Sequence, residues 1–527
     1  MKSLRNFRLE YQPALPRIFL NFRQLGFSAS TESLLVKPEE EVLSLFPKTA
    51  TQPIMECHNS TLKERKPLKV GVFFSGGQAP GGHNVVAALF DALKLLHNES
   101  SLLGFLGGPD GLLKNTTQLL SKEILDGYRN QGGFDLLGSG RTKIETEEQL
   151  KSAAATSKAH ALDGLVVIGG DDSNTNAALL AEFFLREGLL TKVVGIPKTI
   201  DGDLQNPYVP ISFGFDTACK IYAEMIGNIQ KDALSAKKYT HFIKLMGRSA
   251  SHITLECAFH THPNLILIGE EVAAKNKTLQ KITEEIADLI EKRAKLGKNY
   301  GVILIPEGLI EFIPEMKILL EELNQLLAKG ALLVEEGLST PSRNVYHALP
   351  EGVQKALLGE RDSHGNVQVS FIETERLLID LVTKELSQRG VKYNPISHFF
   401  GYEGRSGYPS NFDCKYTAAL GYTAALLIDE GLTGYMAAIQ GLHLPTTEWS
   451  VKGIPIAALL NMEEKSGRKK PVIRKALVDL HSRSFTVFEE LRKHWELSDE
   501  YQSPGPMQFF GDPEITDSAP KVISLRS

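Results

Sequence analysis

Two short segments concentrate the groups that could do chemistry. Leu165-Val166-Val167-Ile168 opens into Gly169-Gly170-Asp171-Asp172-Ser173, and residues 193–196 open into Pro197-Lys198-Thr199-Ile200-Asp201-Gly202-Asp203. In both, an aliphatic and β-branched run stops at a polar turn, the pattern of a buried parallel strand feeding a loop. Such loops line the crevice where open α/β sheets bind ligands. Four carboxylates and a lysine meeting there suit a metal-bound phosphate and a proton-accepting base. Asp171, at a strand's carboxyl end, suits Mg²⁺, which prefers one or two carboxylates with phosphate oxygens and water. Asp201 is placed to take a proton from a sugar hydroxyl as it attacks phosphorus. Asp203, two residues on, assists the metal or orients the base. Aspartates also cap helices and make turns, but two such loops on consecutive strands, with Lys198 between them, favour chemistry.

Further loops add anion-binding capacity. Ser75-Gly76-Gly77-Gln78-Ala79-Pro80-Gly81-Gly82-His83-Asn84 follows a short apolar run and precedes a helical pattern, so its backbone could approach an anion closely. It is neither a Walker A loop nor a dinucleotide fingerprint, and a plain tight turn is an equal reading of it alone. Gly138-Ser139-Gly140-Arg141, Met246-Gly247-Arg248 and Gly401-Tyr402-Glu403-Gly404-Arg405 place arginines beside glycines, where a guanidinium can grip phosphate as a planar fork. Lys238 and Tyr239 stand just ahead of a strand, and Glu307 follows one and could accept hydrogen bonds from sugar hydroxyls. Each cation alone is better explained as solvated surface; together they supply charge for two phosphates. His260-Thr261-His262 lacks partners at zinc spacing and reads as a polar turn.

The elements that must position these loops follow from the same pattern. Strand, loop and helix units recur from residue 69 to about 310, which means an α/β sheet wound on both faces. Residues 311–395 carry Glu, Leu and Lys at helical spacing and read as a helical insertion. We partition the chain into an N-terminal extension (1–66), a first α/β lobe (67–236), a second lobe including the insertion (237–465), and a charged helical segment with a tail (466–527). A chain of 527 residues is too long for one ordinary core. Its net charge of −5 argues against a general nucleic-acid binder but not against small anions. Cys57, Cys219, Cys257 and Cys414 are scattered, as in a reduced cytoplasmic protein. No apolar stretch is long enough to span a bilayer. Lys2, Arg5, Arg8, Arg17 and Arg23 give the N-terminus a transit-peptide bias, but prolines 13 and 16 break the required helix and a segment packed on the body is the better reading. The sequons at Asn59, Asn98, Asn115 and Asn276 read as chance matches.

Taken in order, Gly-Gly-Gln-Ala-Pro-Gly-Gly-His-Asn (76–84), Gly-Ser-Gly-Arg (138–141), Gly-Gly-Asp-Asp-Ser-Asn-Thr-Asn (169–176), Pro-Lys-Thr-Ile-Asp-Gly-Asp (197–203), Met-Gly-Arg (246–248), Pro-Glu-Gly-Leu (306–309) and Tyr-Glu-Gly-Arg (402–405) resemble phosphofructokinases, and within them the long, pyrophosphate-dependent branch. The resemblance runs over about 70–430. It implies two Rossmann-like lobes and reversible phosphoryl transfer between pyrophosphate and the 1-hydroxyl of fructose 6-phosphate, without the allosteric control of ATP-dependent relatives. By the same resemblance Gly76 contacts the diphosphate, Asp171 holds Mg²⁺, and Arg141 steadies the transferring group. Thr199, Ile200 and Asp201 meet the sugar phosphate, Asp201 as the base. Met246, Gly247, Arg248, Glu307, Tyr402, Glu403, Gly404 and Arg405 complete that pocket. Lys238 and Tyr239 correspond to residues reaching the site from a second subunit, which implies at least a homodimer.

ATP-dependent members resemble this chain but have glycine at the positions of Asp172 and Lys198. A carboxylate at 172 would clash with and repel the nucleotide's α-phosphate, while Lys198 would stabilise charge on the transferring group. The alternatives are an ATP-dependent phosphofructokinase and a catalytically dead regulatory subunit. The first is disfavoured by Asp172 and Lys198, the second by the presence of Asp171, Asp201 and Lys198.

Overall fold

The computed structural model describes residues 3–32, 34, 38–328, 334–359, 367, 371–465 and 468–526. The apolar runs become strands. In chain order these are β1 (Leu25–Ala29), β2 (Met55–Asn59), β3 (Lys69–Ser75), β4 (Ser101–Phe105), β5 (Thr117–Leu120), β6 (Ser139–Gly140), β7 (Gly164–Gly169), β8 (Lys192–Pro197), β9 (Thr240–Leu245), β10 (Leu265–Ile266), β11 (Gly301–Pro306), β12 (Pro395–Phe400), β13 (Tyr435–Gln440), β14 (Ser450–Pro455), β15 (Leu460–Lys465) and β16 (Arg468–Ile473).

Among the described residues these strands make two large sheets and a hairpin. The first sheet runs β1-β2-β14-β13-β8-β7-β3-β4-β5, with β6 beside β3; the second runs β10-β11-β9-β12; β15 and β16 pair with each other. The centre of each large sheet is parallel. In β3, Val70, Val72 and Phe74 pack with the helices Gly82–Leu96 and Asn411–Asp429, whereas Phe73 packs on the opposite face with the helix Asp171–Arg186. This alternation is what a sheet covered on both faces requires. The second sheet repeats it: Ile243, Leu245, Val302 and Leu304 join the first of those cores, while Phe242, Ile303 and Ile305 meet the helix Leu279–Lys295 and the insertion. The chain is thus two doubly wound lobes sharing one continuous apolar face.

The insertion is helical in the described residues, with Pro314–Ala328 and Thr374–Gln388 the longest pieces. Leu319, Leu323, Leu378, Val382 and Leu386 bury its apolar stripe.

Three expectations about organisation need correction. The segment 237–465 does not form one lobe, because β13 and β14 return to the first sheet. Residues 1–66 are more than an extension, since β1 and β2 complete that sheet's edge and β2 pairs with β14. The segment from 466 is not helical at its start; Arg468–Ile473 is a strand and the helix begins at Arg483.

The basic N-terminus packs on the body. Arg8 is buried, donates to the Pro409 carbonyl at 2.5 Å and lies 3.7 Å over the Phe509 ring. Among the described residues no helix is long and apolar enough to cross a membrane.

Candidate active site

The carboxyl ends of β3, β7 and β8 from the first sheet face those of β9 and β11 from the second across a cavity of about 620 Å³. Of the residues singled out from sequence, it is lined by Gly76, Arg141, Asp171, Asp172, Lys198, Thr199, Ile200, Asp201, Met246, Arg248, Glu307, Tyr402 and Arg405. Parallel strands end on the same side of their sheet, so loops far apart in sequence converge without a special device.

At one end the backbone is laid open. Gly76 has φ +85°, a conformation glycine adopts without strain, and its N–H donates to the Gly140 carbonyl at 2.9 Å. A Cβ on Gly76 would lie 3.3 Å from Lys198 Nζ, and one on Gly77 would lie 3.2 Å from the Arg405 guanidinium. The two glycines therefore let two cations close onto the main chain. Opposite them, Asp171 and Asp172 begin the helix Asp171–Arg186. The Asn174 amide donates to the Gly169, Gly170 and Ile196 carbonyls, tying this turn to the end of β8.

The two adjacent acids differ in their surroundings. The Asp171 carboxylate has no hydrogen-bond or ion-pair partner among the described residues, while Asp172 stands 3.6 Å from Lys143 Nζ. Asp172 would therefore meet a phosphate as a paired charge. No three His, Cys, Asp or Glu side chains among the described residues form a metal cage. One accessible carboxylate beside an anion-binding turn is still the oxygen donor set of a cation that completes its shell with phosphate and water.

Lys198 is buried and its ammonium donates to the Gly77 carbonyl at 2.7 Å. Burial, followed by the nearby charges of Arg248 and Arg405, brings its pKa down to about 7 against the pull of Asp201 and Asp171. Arg248 Nε donates to Asp201 Oδ2 at 2.7 Å. Burial pushes the Asp201 carboxyl up, but Arg248 outweighs it and holds the group below the ordinary carboxylate range. Asp203, behind it, is pushed up to about 7 by burial and by the charge on Asp201, and its Oδ2 has no partner among the described residues. Asp203 does not line the cavity.

On the second lobe Glu307 organises the loop after β9. Its Oε2 accepts from the N–H groups of Gly247 (3.1 Å) and Arg248 (2.8 Å). This holds Arg248 at φ +41°, an uncommon conformation for a residue with a side chain. Oε1 of Glu307 is buried without a partner among the described residues, and burial raises the carboxyl's pKa. Half of its accepting capacity is thus spent on the loop and half faces inward. Met246 is buried, and its N–H donates to the Phe400 carbonyl at 2.9 Å.

Several expected residues support the site without lining it. Gly247 supplies the N–H just described. Glu403 accepts the Gly401 N–H at 2.7 Å, and Gly404 allows close packing of Tyr222, whose hydroxyl would lie 2.5 Å from a Cβ there. Lys238 and Tyr239 are not brought in. They sit at the amino end of β9, opposite the Met246 end, with Lys238 Nζ 4.9 Å over the Tyr239 ring. His260 bonds Glu256 and His262 stacks on Trp495.

Sequence reasoning missed Lys143, Lys475 and the insertion's share of the wall. Leu320, Asn324, Val367 and Phe371 close one side, and Glu463 and Lys475 arrive from the hairpin and the irregular segment that follows it. Lys143 lies two residues beyond the arginine that was chosen, so the motif carried the signal. Lys475 had no local one.

Comparison with known proteins gives the same fold. The phosphofructokinase family model matches residues 69–428. A protein named pyrophosphate–fructose 6-phosphate 1-phosphotransferase from Treponema pallidum (strain Nichols) is 49% identical over 553 aligned residues, covering 99% of this chain and 96% of that one. The subunit beta of the enzyme of that name from Solanum tuberosum is 53% identical over 485 residues, covering 90% and 85%. The solved structure of a pyrophosphate-dependent phosphofructokinase from Nitrosospira multiformis superposes with a TM-score of 0.56 at 16% identity, covering 87% of this chain and 96% of that one. At that identity the last likeness speaks for the fold alone.

Proposed function

The chain belongs to the phosphofructokinase family, and we propose that it moves a phosphoryl group reversibly between pyrophosphate and the 1-hydroxyl of fructose 6-phosphate. The observation that carries this reading is the anion end of the cavity, where Lys198 closes on the open backbone of Gly76 and Gly77 and Asp172 stands opposite. The close relatives carry the name of that reaction.

Pyrophosphate lies along Gly76 and Gly77, with Lys198 and Arg141 supplying positive charge to the group that moves. Asp171 holds Mg²⁺, which when bound neutralises charge on the phosphate oxygens. The sugar lies against Met246 and the second carboxylate oxygen of Glu307, held in place through Gly247, and Tyr402 and Arg405 meet its phosphate. A lone pair of the 1-hydroxyl oxygen forms the new P–O bond as the bridging P–O bond of pyrophosphate breaks. The hydroxyl proton passes to Asp201 and orthophosphate leaves. Asp201 is ionised at neutral pH because Arg248 holds its pKa down, so it is ready to accept as the hydroxyl becomes acidic in the transition state. In reverse it returns the proton.

Asp172 disfavours a nucleotide donor because a third phosphate would extend toward its carboxylate. The ion pair with Lys143 is partly exposed and offsets only part of that charge. Lys238 and Tyr239, at the far end of β9, serve the cavity of a second copy, so the working form is a homodimer in the cytoplasm.

A coupled assay of fructose 6-phosphate with Mg-pyrophosphate or Mg-ATP tests the proposal. Faster turnover with pyrophosphate is expected; faster turnover with ATP overturns it.

A further inference from the structure

The cations around the cavity are unequally engaged. Arg248 holds Asp201, Lys143 faces Asp172, and Lys198 donates to Gly77. Lys475 differs. Its ammonium makes one long contact, 3.4 Å to Ser249 Oγ, and forms no ion pair among the described residues. It lines the cavity all the same, and its charge is felt by both Asp201 and Asp203. A lysine kept only to neutralise those acids would be expected in contact with one of them, yet Asp201 is already taken by Arg248.

The backbone around Lys475 fixes where the side chain can go. The Ala476 N–H donates to the Asp203 carbonyl at 2.8 Å, and the Ala476 carbonyl lies 2.9 Å from His252 Nε2. The Val478 N–H donates to Glu270 Oε1 at 2.9 Å, an oxygen that also accepts from the Ser251 N–H. The segment is thus sewn to the loop after β8 and to the start of the helix His252–Thr261, joining both lobes beside the base. It lies beyond residues 69–428, where the family model ends, but within the stretch that aligns with the Treponema pallidum relative.

We propose that Lys475 contacts an equatorial oxygen of the phosphoryl group as it passes between pyrophosphate and the sugar hydroxyl, a role that rests on the reaction proposed above. Charge spread over those oxygens is stabilised by fixed donors held in place before the reaction. A pinned backbone and an uncommitted ammonium provide such a donor.

The test is steady-state kinetics of the purified full-length protein in both directions. Lys475→Gln is expected to lower kcat about a hundredfold each way, the scale of losing one donor to a developing charge. The KM for fructose 6-phosphate should move by less than about threefold, as for an interaction made only in the transition state, and Lys475→Arg should recover most of the rate. Two results would overturn the proposal: unchanged kcat with a lower melting temperature, or a raised KM at unchanged kcat. Should Lys475→Gln fail to fold, acylation of lysines in the unaltered protein, read by mass spectrometry, asks the same question. Mg-pyrophosphate with the sugar phosphate should slow labelling of Lys475 severalfold, and unchanged labelling refutes the contact. Wild-type turnover is measured alongside, so an inactive wild type counts against the reaction itself, while the labelling still reports on Lys475.

Discussion

Adding Mg-pyrophosphate to the free protein at pH 8 should draw about 0.9 proton from solution for each molecule bound, because a lysine with pKa near 7 is about nine-tenths neutral at that pH. Lys198 is that lysine: burial and the charges of Arg248 and Arg405 bring it down to about 7, and its one hydrogen-bond acceptor is a neutral carbonyl. A phosphate arriving beside it favours the ammonium. Restoring about three pKa units corresponds to roughly 4.1 kcal/mol and recharges the group almost fully at pH 8. Apparent affinity should then fall about tenfold for each pH unit above 7 while the complex stays protonated. Calorimetric titration in buffers of different ionisation enthalpy counts the protons. Lys198→Arg is the reference, since arginine keeps its charge and the titration of pyrophosphate itself is common to both proteins. Equal proton uptake by the two proteins at pH 8 would refute the reasoning, and so would a wild-type affinity that is flat from pH 7 to 9.

Other expectations follow from single contacts. Asp201→Asn should lower kcat by about a thousandfold in both directions, within the range for loss of a positioned base, with sugar-phosphate affinity by calorimetry largely kept. Gly76→Ala places a side chain at φ +85° and 3.3 Å from Lys198 Nζ; the KM for pyrophosphate should rise severalfold and that for fructose 6-phosphate should not. Asp203 has its carboxyl pushed up to about 7 from 3.8, so the folded chain binds more protons than the unfolded one between those values. Its contribution to stability is present below about pH 4 and is lost as pH rises toward 7, so urea melts of Asp203→Asn should lose part of that decline, and identical pH slopes would count against it. Arg8→Ala removes a buried stacking contact and a hydrogen bond to Pro409 and should cost about 2 kcal/mol in the same melts.

What could be read from the sequence is what is locally encoded. The loops ending in Gly76, Asp171, Asp201, Arg248 and Glu307 each follow a strand whose apolar run is visible by itself, and parallel pairing then brings their ends together. What could not be read depends on partners distant in sequence. Nothing near residue 435 says that β13 lies beside β8 rather than in the second sheet. The strands β15 and β16 are largely polar and charged, burying only Leu460, Val472 and Ile473 among the described residues, so they carry little strand pattern. The pairing of Asp172 with Lys143 is invisible in the sequence because Lys143 belongs to another loop, and Lys475 is a surface lysine until the hydrogen bonds of Ala476 and Val478 aim it.

The pairing of β2 with β14 also bears on how the chain comes into being. Glu56 stands opposite Lys452, and Arg8 stacks on Phe509, so these contacts join residues hundreds of positions apart in the chain. A growing chain leaving the ribosome can close the central strands β3 to β8 early, but β2 has no β14 to pair with until residues 452 and 453 have emerged. Vectorial synthesis therefore leaves a bare strand edge waiting until β14 emerges, and the charged side chains Glu56 and Lys63 around it are suited to keep that edge from pairing with another nascent chain.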